Sequence, residues 1–226
     1  MLVLRCPGLQ RVLEESYATF KELLQGAVAT FGARETAVGA SESDPKRYLE
    51  FGSEERADIP PALGKLRRFL CHIVDKRCSE LEAALLPGTS RTLSKLVDRR
   101  RGPVLRLNWY PGGRIGPVNH PHTDVDLFTI LPAATQRGFE CRFGNNWEGV
   151  GVGPSEVLVL PGEFLHYFGG LPAVEHRVIT DGRERMSVSL FVNADPALHV
   201  EGYSRIIDLF EGRLAIVRRT SDHGGG

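Results

Sequence analysis

The chain has 226 residues, 42% of them hydrophobic and 25% charged, enough to bury one large core with or without a helical extension. Its 28 basic and 28 acidic residues cancel, which disfavours a nucleic-acid binder, a class that usually carries a basic excess. No apolar run approaches the roughly 18 residues that a membrane span needs, and Met1-Leu2-Val3-Leu4-Arg5-Cys6-Pro7 is too short and has the wrong charge order for a secretory signal, so a cytoplasmic protein with no membrane partner is expected.

The first third reads as helical. Leu9, Val12, Leu13, Phe20, Leu23, Leu24 and Val28 recur at helical spacings and form one apolar face, which Gly32 ends. Residues 33–59 are polar and turn-rich and predict a surface segment. A second helix starts at Ile59-Pro60-Pro61, carries the stripe Leu63, Leu66, Phe69, Leu70, Ile73, Val74, Leu81 and Leu85, and stops near Pro87-Gly88. The four cysteines, Cys6, Cys71, Cys78 and Cys141, form no CxxC pair, which argues against a cysteine zinc site and for free thiols. Arg99-Arg100-Arg101 is expected to be a solvated loop before a strand.

From residue 103 the period changes to that of short strands bounded by Gly, Pro or Asn: Val104–Tyr110, Val125–Leu131, Gly138–Phe143, Val157–Leu160, Val174–Thr180 and Met186–Val192. Glu201–Phe210 predicts a short closing helix. The expected architecture is mainly β with α: residues 1–102 as a helical layer packed on a β-sandwich or barrel of residues 103–226, in one folding unit.

Chemistry concentrates in Asn119-His120-Pro121-His122-Thr123-Asp124-Val125-Asp126. On a strand, residues i and i+2 share a face, so His122 and Asp124 would aim at one point. His176 lies 52 residues beyond Asp124 in another predicted strand. Two histidines and one carboxylate, with positions left open, are the ligand set of non-haem Fe(II) oxygenases. A His-x-Asp tripeptide arises easily by chance, and His176 alone reads as an ordinary core or surface histidine. Arg185, nine residues after His176, and Ser187 share a strand face and offer a guanidinium fork and a hydroxyl to a carboxylate. The bland alternative makes Arg185 a surface ion-pair partner beside Glu184.

Four segments, in order and spacing, resemble the isopenicillin-N-synthase-like branch of the 2-oxoglutarate/Fe(II) oxygenases: Leu105-Arg106-Leu107-Asn108-Trp109-Tyr110-Pro111, His122 to Pro132, Gly169-Gly170 with Glu175-His176-Arg177-Val178, and Glu184-Arg185-Met186-Ser187. The resemblance covers about residues 100–195. It implies a double-stranded β-helix, or jelly roll, with Fe(II) on His122, Asp124 and His176. It implies 2-oxoglutarate held by Arg185 and Ser187, with Asn108 and Tyr110 touching it from the neighbouring strand, and O2 as oxidant. The implied reaction oxidises a small molecule, such as an amino acid, a short peptide or a natural-product intermediate. Hydroxylation is the default, with desaturation and cyclisation as variants, and 2-oxoglutarate leaves as succinate. A 2-oxoglutarate-independent oxidase of the same branch and a jelly-roll binding protein remain as alternatives.

The amino-terminal part departs from the family by lacking an obvious opening strand; Lys46–Gly52 is only faintly similar there. Glu163 stands where Asp is common. His120 is expected at a pocket rim and His166 in a strand as a packing residue, while Phe139 and Cys141 alternate on a strand that the resemblance places against the substrate. Oligomeric state is not legible in the sequence.

Overall fold

The computed structural model describes residues 1–25, 46–52, 59–200 and 206. Ten strands and five helices follow in chain order: β1 Leu2–Arg5, α1 Leu9–Gln25, β2 Arg47–Phe51, α2 Pro61–Lys76, α3 Cys78–Leu85, α4 Leu93–Leu96, β3 Val104–Tyr110, β4 Ile115–His122, β5 Phe128–Pro132, β6 Phe139–Phe143, β7 Asn146–Gly149, β8 Glu156–Pro161, α5 Glu163–Tyr167, β9 His176–Asp181 and β10 Arg185–Val192. The strands form two antiparallel sheets, a six-stranded one in the order β1-β8-β5-β10-β3-β2 and a four-stranded one in the order β4-β9-β6-β7. This is the expected jelly roll.

Alternation along the strands divides the inside from the helical side. In β10, Met186, Val188, Leu190 and Val192 join one apolar cluster with Leu9, Phe20, Leu63 and Leu70 of the helices, while Arg185, Ser187, Ser189 and Phe191 line a cavity between the sheets. Leu63, Leu66 and Leu70 are wholly buried, and each such side chain contributes roughly 1.5–3 kcal/mol. None of the described helices is long and apolar enough to cross a membrane.

The structure corrects several expectations. An opening strand does exist: β1 pairs antiparallel with β8 at one edge of the large sheet. Lys46–Gly52 likewise contains β2, which pairs with β3 at the other edge. The region before residue 103 is therefore a helical layer that also supplies both edge strands. The second helix breaks at Arg77 (φ −105°, ψ 16°) into α2 and α3, although its apolar stripe continues through Leu81 and Leu85. The strand expected from Val125 begins only at Phe128. β4 escaped sequence reading because Ile-Gly-Pro-Val-Asn-His-Pro-His has no alternation and two prolines, and its pairing with β9 slips twice, between Pro117 and Asn119 and between Asn119 and His122. Arg99–Arg101 forms the expected exposed turn, with Asp98 accepting the backbone N–H groups of Arg100 and Arg101. The rest of the first helix beyond Gln25, and the Glu201–Phe210 helix apart from a buried helical Ile206, lie outside the described residues.

Candidate active site

His122 closes β4 directly opposite His176, the first residue of β9. Their ring centroids are 4.3 Å apart. Each ring is set by its Nδ1, which lies 2.7 Å from the His120 carbonyl in His122 and 3.0 Å from the Val174 carbonyl in His176. Donation from Nδ1–H leaves each Nε2 with its lone pair available to a metal. Asp124 Oδ1 is 3.9 Å from His122 Nε2 and 3.7 Å from His176 Nε2. One ligand atom from each of the three lies within 4.8 Å of the others, a spread that a single cation can bridge. Burial, and after it the neighbouring His176 ring, lowers the pKa of His122 and favours the neutral imidazole that a metal requires.

The convergence is as expected, but its cause is not strand alternation, since Asp124 lies beyond the end of β4. It sits in a turn docked on the start of α5. The Glu163 N–H donates to the Asp124 carbonyl and the Phe164 N–H to the Asp126 carbonyl, both at 2.9 Å. The Thr123 hydroxyl donates to Glu163, so the Glu at that position ties the turn down. Gly162 makes the docking possible: a Cβ there would stand 1.9 Å from Asp126 Oδ1.

Behind the ligand, Thr129 Oγ1 lies 2.5 Å from Asp124 Oδ2 and 2.9 Å from Asp126 Oδ2. A hydroxyl has one proton and cannot donate to both. Burial, reinforced by the Asp124 charge, holds the Asp126 carboxyl well above the usual range. A proton on Asp126 would let Asp126 donate to Thr129 while Thr129 donates to Asp124.

In the cavity between the sheets, Arg185 is 3% exposed. Its Nε donates to the Gln136 carbonyl at 3.2 Å, its guanidinium lies 5.4 Å from the Tyr110 ring centroid, and its Nη1 is buried without a partner. Burial lowers its pKa, yet a guanidinium stays charged in proteins. The surface ion-pair alternative does not hold: Glu184 instead accepts from Lys21 at 2.8 Å and from the Trp109 indole at 3.1 Å. Across the strand pair, Arg185 stands opposite Tyr110 and Ser187 opposite Asn108. These four residues line the same cavity of about 540 Å³ as His122, Asp124 and His176.

The remaining sequence candidates separate. His120 is exposed and contributes its carbonyl, not its ring. His166 is exposed on α5, not in a strand, because Glu163–Tyr167 turns helical after Gly162. Phe139 lines the cavity, 5.3 Å from the His176 ring. Cys141 is fully buried against Leu158 and Leu160 instead, and burial pushes its thiol up to about 12. Sequence reasoning missed Gln136 and Tyr17, whose hydroxyl donates to the Ala133 carbonyl at 2.9 Å; neither carries a local signal. Thr129 and Asp126 lay inside the motif without an assigned role.

Residues 102–194 match the sequence profile of the 2OG-Fe(II) oxygenase superfamily. No curated protein sequence matches the chain. Among solved structures, a candidate oxygenase from Shewanella oneidensis superposes with a TM-score of 0.76 at 21% identity, covering 95% of this chain and 89% of its own. The dioxygenase for auxin oxidation 1 from Arabidopsis thaliana, as its 2-oxoglutarate complex, gives 0.71 at 14% identity, with 88% and 85% covered. A full-length Neurospora crassa protein bound to alpha-ketoglutarate and 5-formyluracil gives 0.65 at 16% identity, with 86% and 74% covered. Residues 102–194 are thus similar in sequence to the 2OG-Fe(II) oxygenase superfamily, and the solved structures share the fold.

Proposed function

We propose that residues 102–194 form an oxygenase domain that holds Fe(II) with His122, Asp124 and His176, holds 2-oxoglutarate with Arg185, Ser187, Tyr110 and Asn108, and uses O2 to oxidise a small molecule, by default through hydroxylation. The observation that carries the reading is the buried Arg185, whose Nη1 has no partner, in one cavity with the triad. A buried charge is costly unless paired, and a dicarboxylate reaching from the triad to Arg185 supplies the pair. The 2-oxoglutarate-independent oxidases of the resembling branch keep the same Arg-x-Ser pair, so succinate formation is what separates the two readings. Fe(II) held by His122, Asp124 and His176 would supply the chemistry that couples decarboxylation of 2-oxoglutarate, to succinate and CO2, with insertion of the second O2 oxygen into a substrate C–H bond.

The chain's own contribution is orientation and exclusion of water. The His120 and Val174 carbonyls hold the two imidazoles, and the Asp126–Thr129 pair holds the carboxylate. Arg185 presents its fork to the distal carboxylate, with Ser187 beside it and Tyr110 beneath. Small-molecule chemistry is also what the Arabidopsis and Neurospora proteins are described with, auxin and 5-formyluracil. The spacing of the motifs supports the isopenicillin-N-synthase-like branch, the free cysteines support a reducing cytoplasm, and the balanced charge disfavours a nucleic-acid partner.

The test is anaerobic titration of the Fe(II) protein with 2-oxoglutarate, followed by its charge-transfer band. Truncating one partner of a buried charge pair costs about 2–5 kcal/mol, so Arg185→Met should weaken 2-oxoglutarate binding by roughly 30-fold to several thousand-fold. Arg185→Lys, a point charge without the fork, should weaken it less. Both variants should keep Fe(II). If Arg185→Met binds 2-oxoglutarate as tightly as wild type, the co-substrate is on the wrong strand.

A further inference from the structure

We propose that the cavity selects a small carboxylic acid with an apolar body, and that Arg137 at its mouth binds the acid's carboxylate. The proposal rests on the placement of Fe(II) and 2-oxoglutarate above. The cavity wall carries the cations Lys46, Arg106, Arg137 and Arg185 but a single carboxylate, Asp124. With both cofactors bound, the two charges of Fe(II) and the one of Arg185 are balanced by Asp124 and the two carboxylates of 2-oxoglutarate. Arg106 is matched by Glu50, at 2.5 Å, and Lys46 donates to Asn119 Oδ1 at 2.8 Å. Arg137 is exposed and has no ion-pair or hydrogen-bond partner among the described residues. A surplus of positive charge at a cleft mouth draws and orients an anion.

The body of the ligand is read from the wall beside Arg137. Arg137 precedes Phe139, whose carbonyl accepts the Val150 N–H at 2.9 Å. That bond pins the Gly149–Val152 segment alongside the loop carrying Arg137. A Cβ on Gly149 or on Gly151 would meet nothing within 4 Å, and neither has a positive φ. Both glycines are exposed, and the space in front of them is open. They share the cavity wall with an apolar group: Leu131, Phe139, Val150, Val152 and Leu158 form one cluster and all line the cavity. A ligand held by its carboxylate at Arg137 lays its hydrocarbon part on this wall, within the cavity that contains the triad.

The test uses the Fe(II) protein, kept anaerobic with 2-oxoglutarate in excess so that no probe acid can settle on Arg185. The probes are matched pairs, 3-phenylpropionate with 3-phenylpropanamide and cyclohexanepropionate with its amide. Binding is measured by calorimetry and by perturbation of the charge-transfer band. A charge-assisted hydrogen bond distinguishes acid from amide by about tenfold, so wild type should prefer at least one acid by that factor. Arg137→Gln should erase the preference. Gly151→Leu, which fills the space before the wall, should weaken both members of a pair, and neither variant should change the affinity for Fe(II) or 2-oxoglutarate. The proposal fails if no acid is preferred, including the case in which nothing binds, or if the preference survives Arg137→Gln. Failure of wild type to bind 2-oxoglutarate, read before any probe is added, instead removes the underlying assignment and this proposal with it.

Discussion

At the scale of single residues, the proposed ligands divide into groups that would touch iron and groups that aim them. Replacing His122, Asp124 or His176 by Ala should abolish stoichiometric Fe(II) uptake, whereas His120→Ala, which keeps the carbonyl that holds His122, should retain it; anaerobic Fe(II) titration decides. Thr129→Val removes the hydroxyl between Asp124 and Asp126 while conserving shape. Loss of a hydrogen bond behind a metal ligand typically costs about 10–100-fold in metal affinity, and the same titration reads it. Asp126 has a signature in the metal-free protein. Its folded pKa is raised, so the native state holds a proton that the unfolded chain releases above roughly pH 3.9. That linkage makes stability fall as pH rises from there through the raised value. Asp126→Asn carries no such proton, so its thermal midpoint should fall less steeply with pH than that of wild type.

At the scale of elements, the site depends on a turn held by a helix start. Gly162 is the contact point, and a Cβ there would meet Asp126 Oδ1 at 1.9 Å and its carbonyl at 2.4 Å. Overpacking of this kind costs about 1–3 kcal/mol or more. Gly162→Ala should lower the thermal midpoint and weaken Fe(II) binding together, because the clash falls on the turn that carries Asp124. A second junction runs from α1 into the cavity: Tyr17 donates to the Ala133 carbonyl, and the Gln136 carbonyl of the same loop receives Arg185 Nε. The loop is also stapled to β10, with Thr135 and Met186 exchanging hydrogen bonds, so the cavity edge beside Arg185 is built jointly by a helix, a loop and a strand.

At the scale of the molecule, a single apolar cluster runs from Leu4 and Leu9 through the helices to Leu107, Phe128, Val188 and Leu190 on the large sheet. A fragment of residues 100–226 would lose both edge strands and the helical cover. Apolar surface exposed in this way costs roughly 25 cal/mol per Å², so the fragment should be insoluble or molten. A soluble fragment with a cooperative melt would instead make the amino-terminal region a separate domain. Local chemistry sufficed to single out the candidate ligands, because His122, Asp124, His176, Arg185 and Ser187 stand out by residue type and spacing, and the strongly alternating β3 and β10 were legible for the same reason. Tertiary structure alone decided the rest. β1, β4 and β7 are too short, too proline-broken or too polar to carry a period of two, and they are strands because a partner strand supplies their hydrogen bonds. Asp124 meets the histidines because α5 holds its turn, Glu184 is drawn to Lys21 and Trp109 and leaves Arg185 Nη1 without a partner, and Arg137 lines the same cavity as both. Each of these depends on contacts between residues far apart in the chain, which no local pattern encodes.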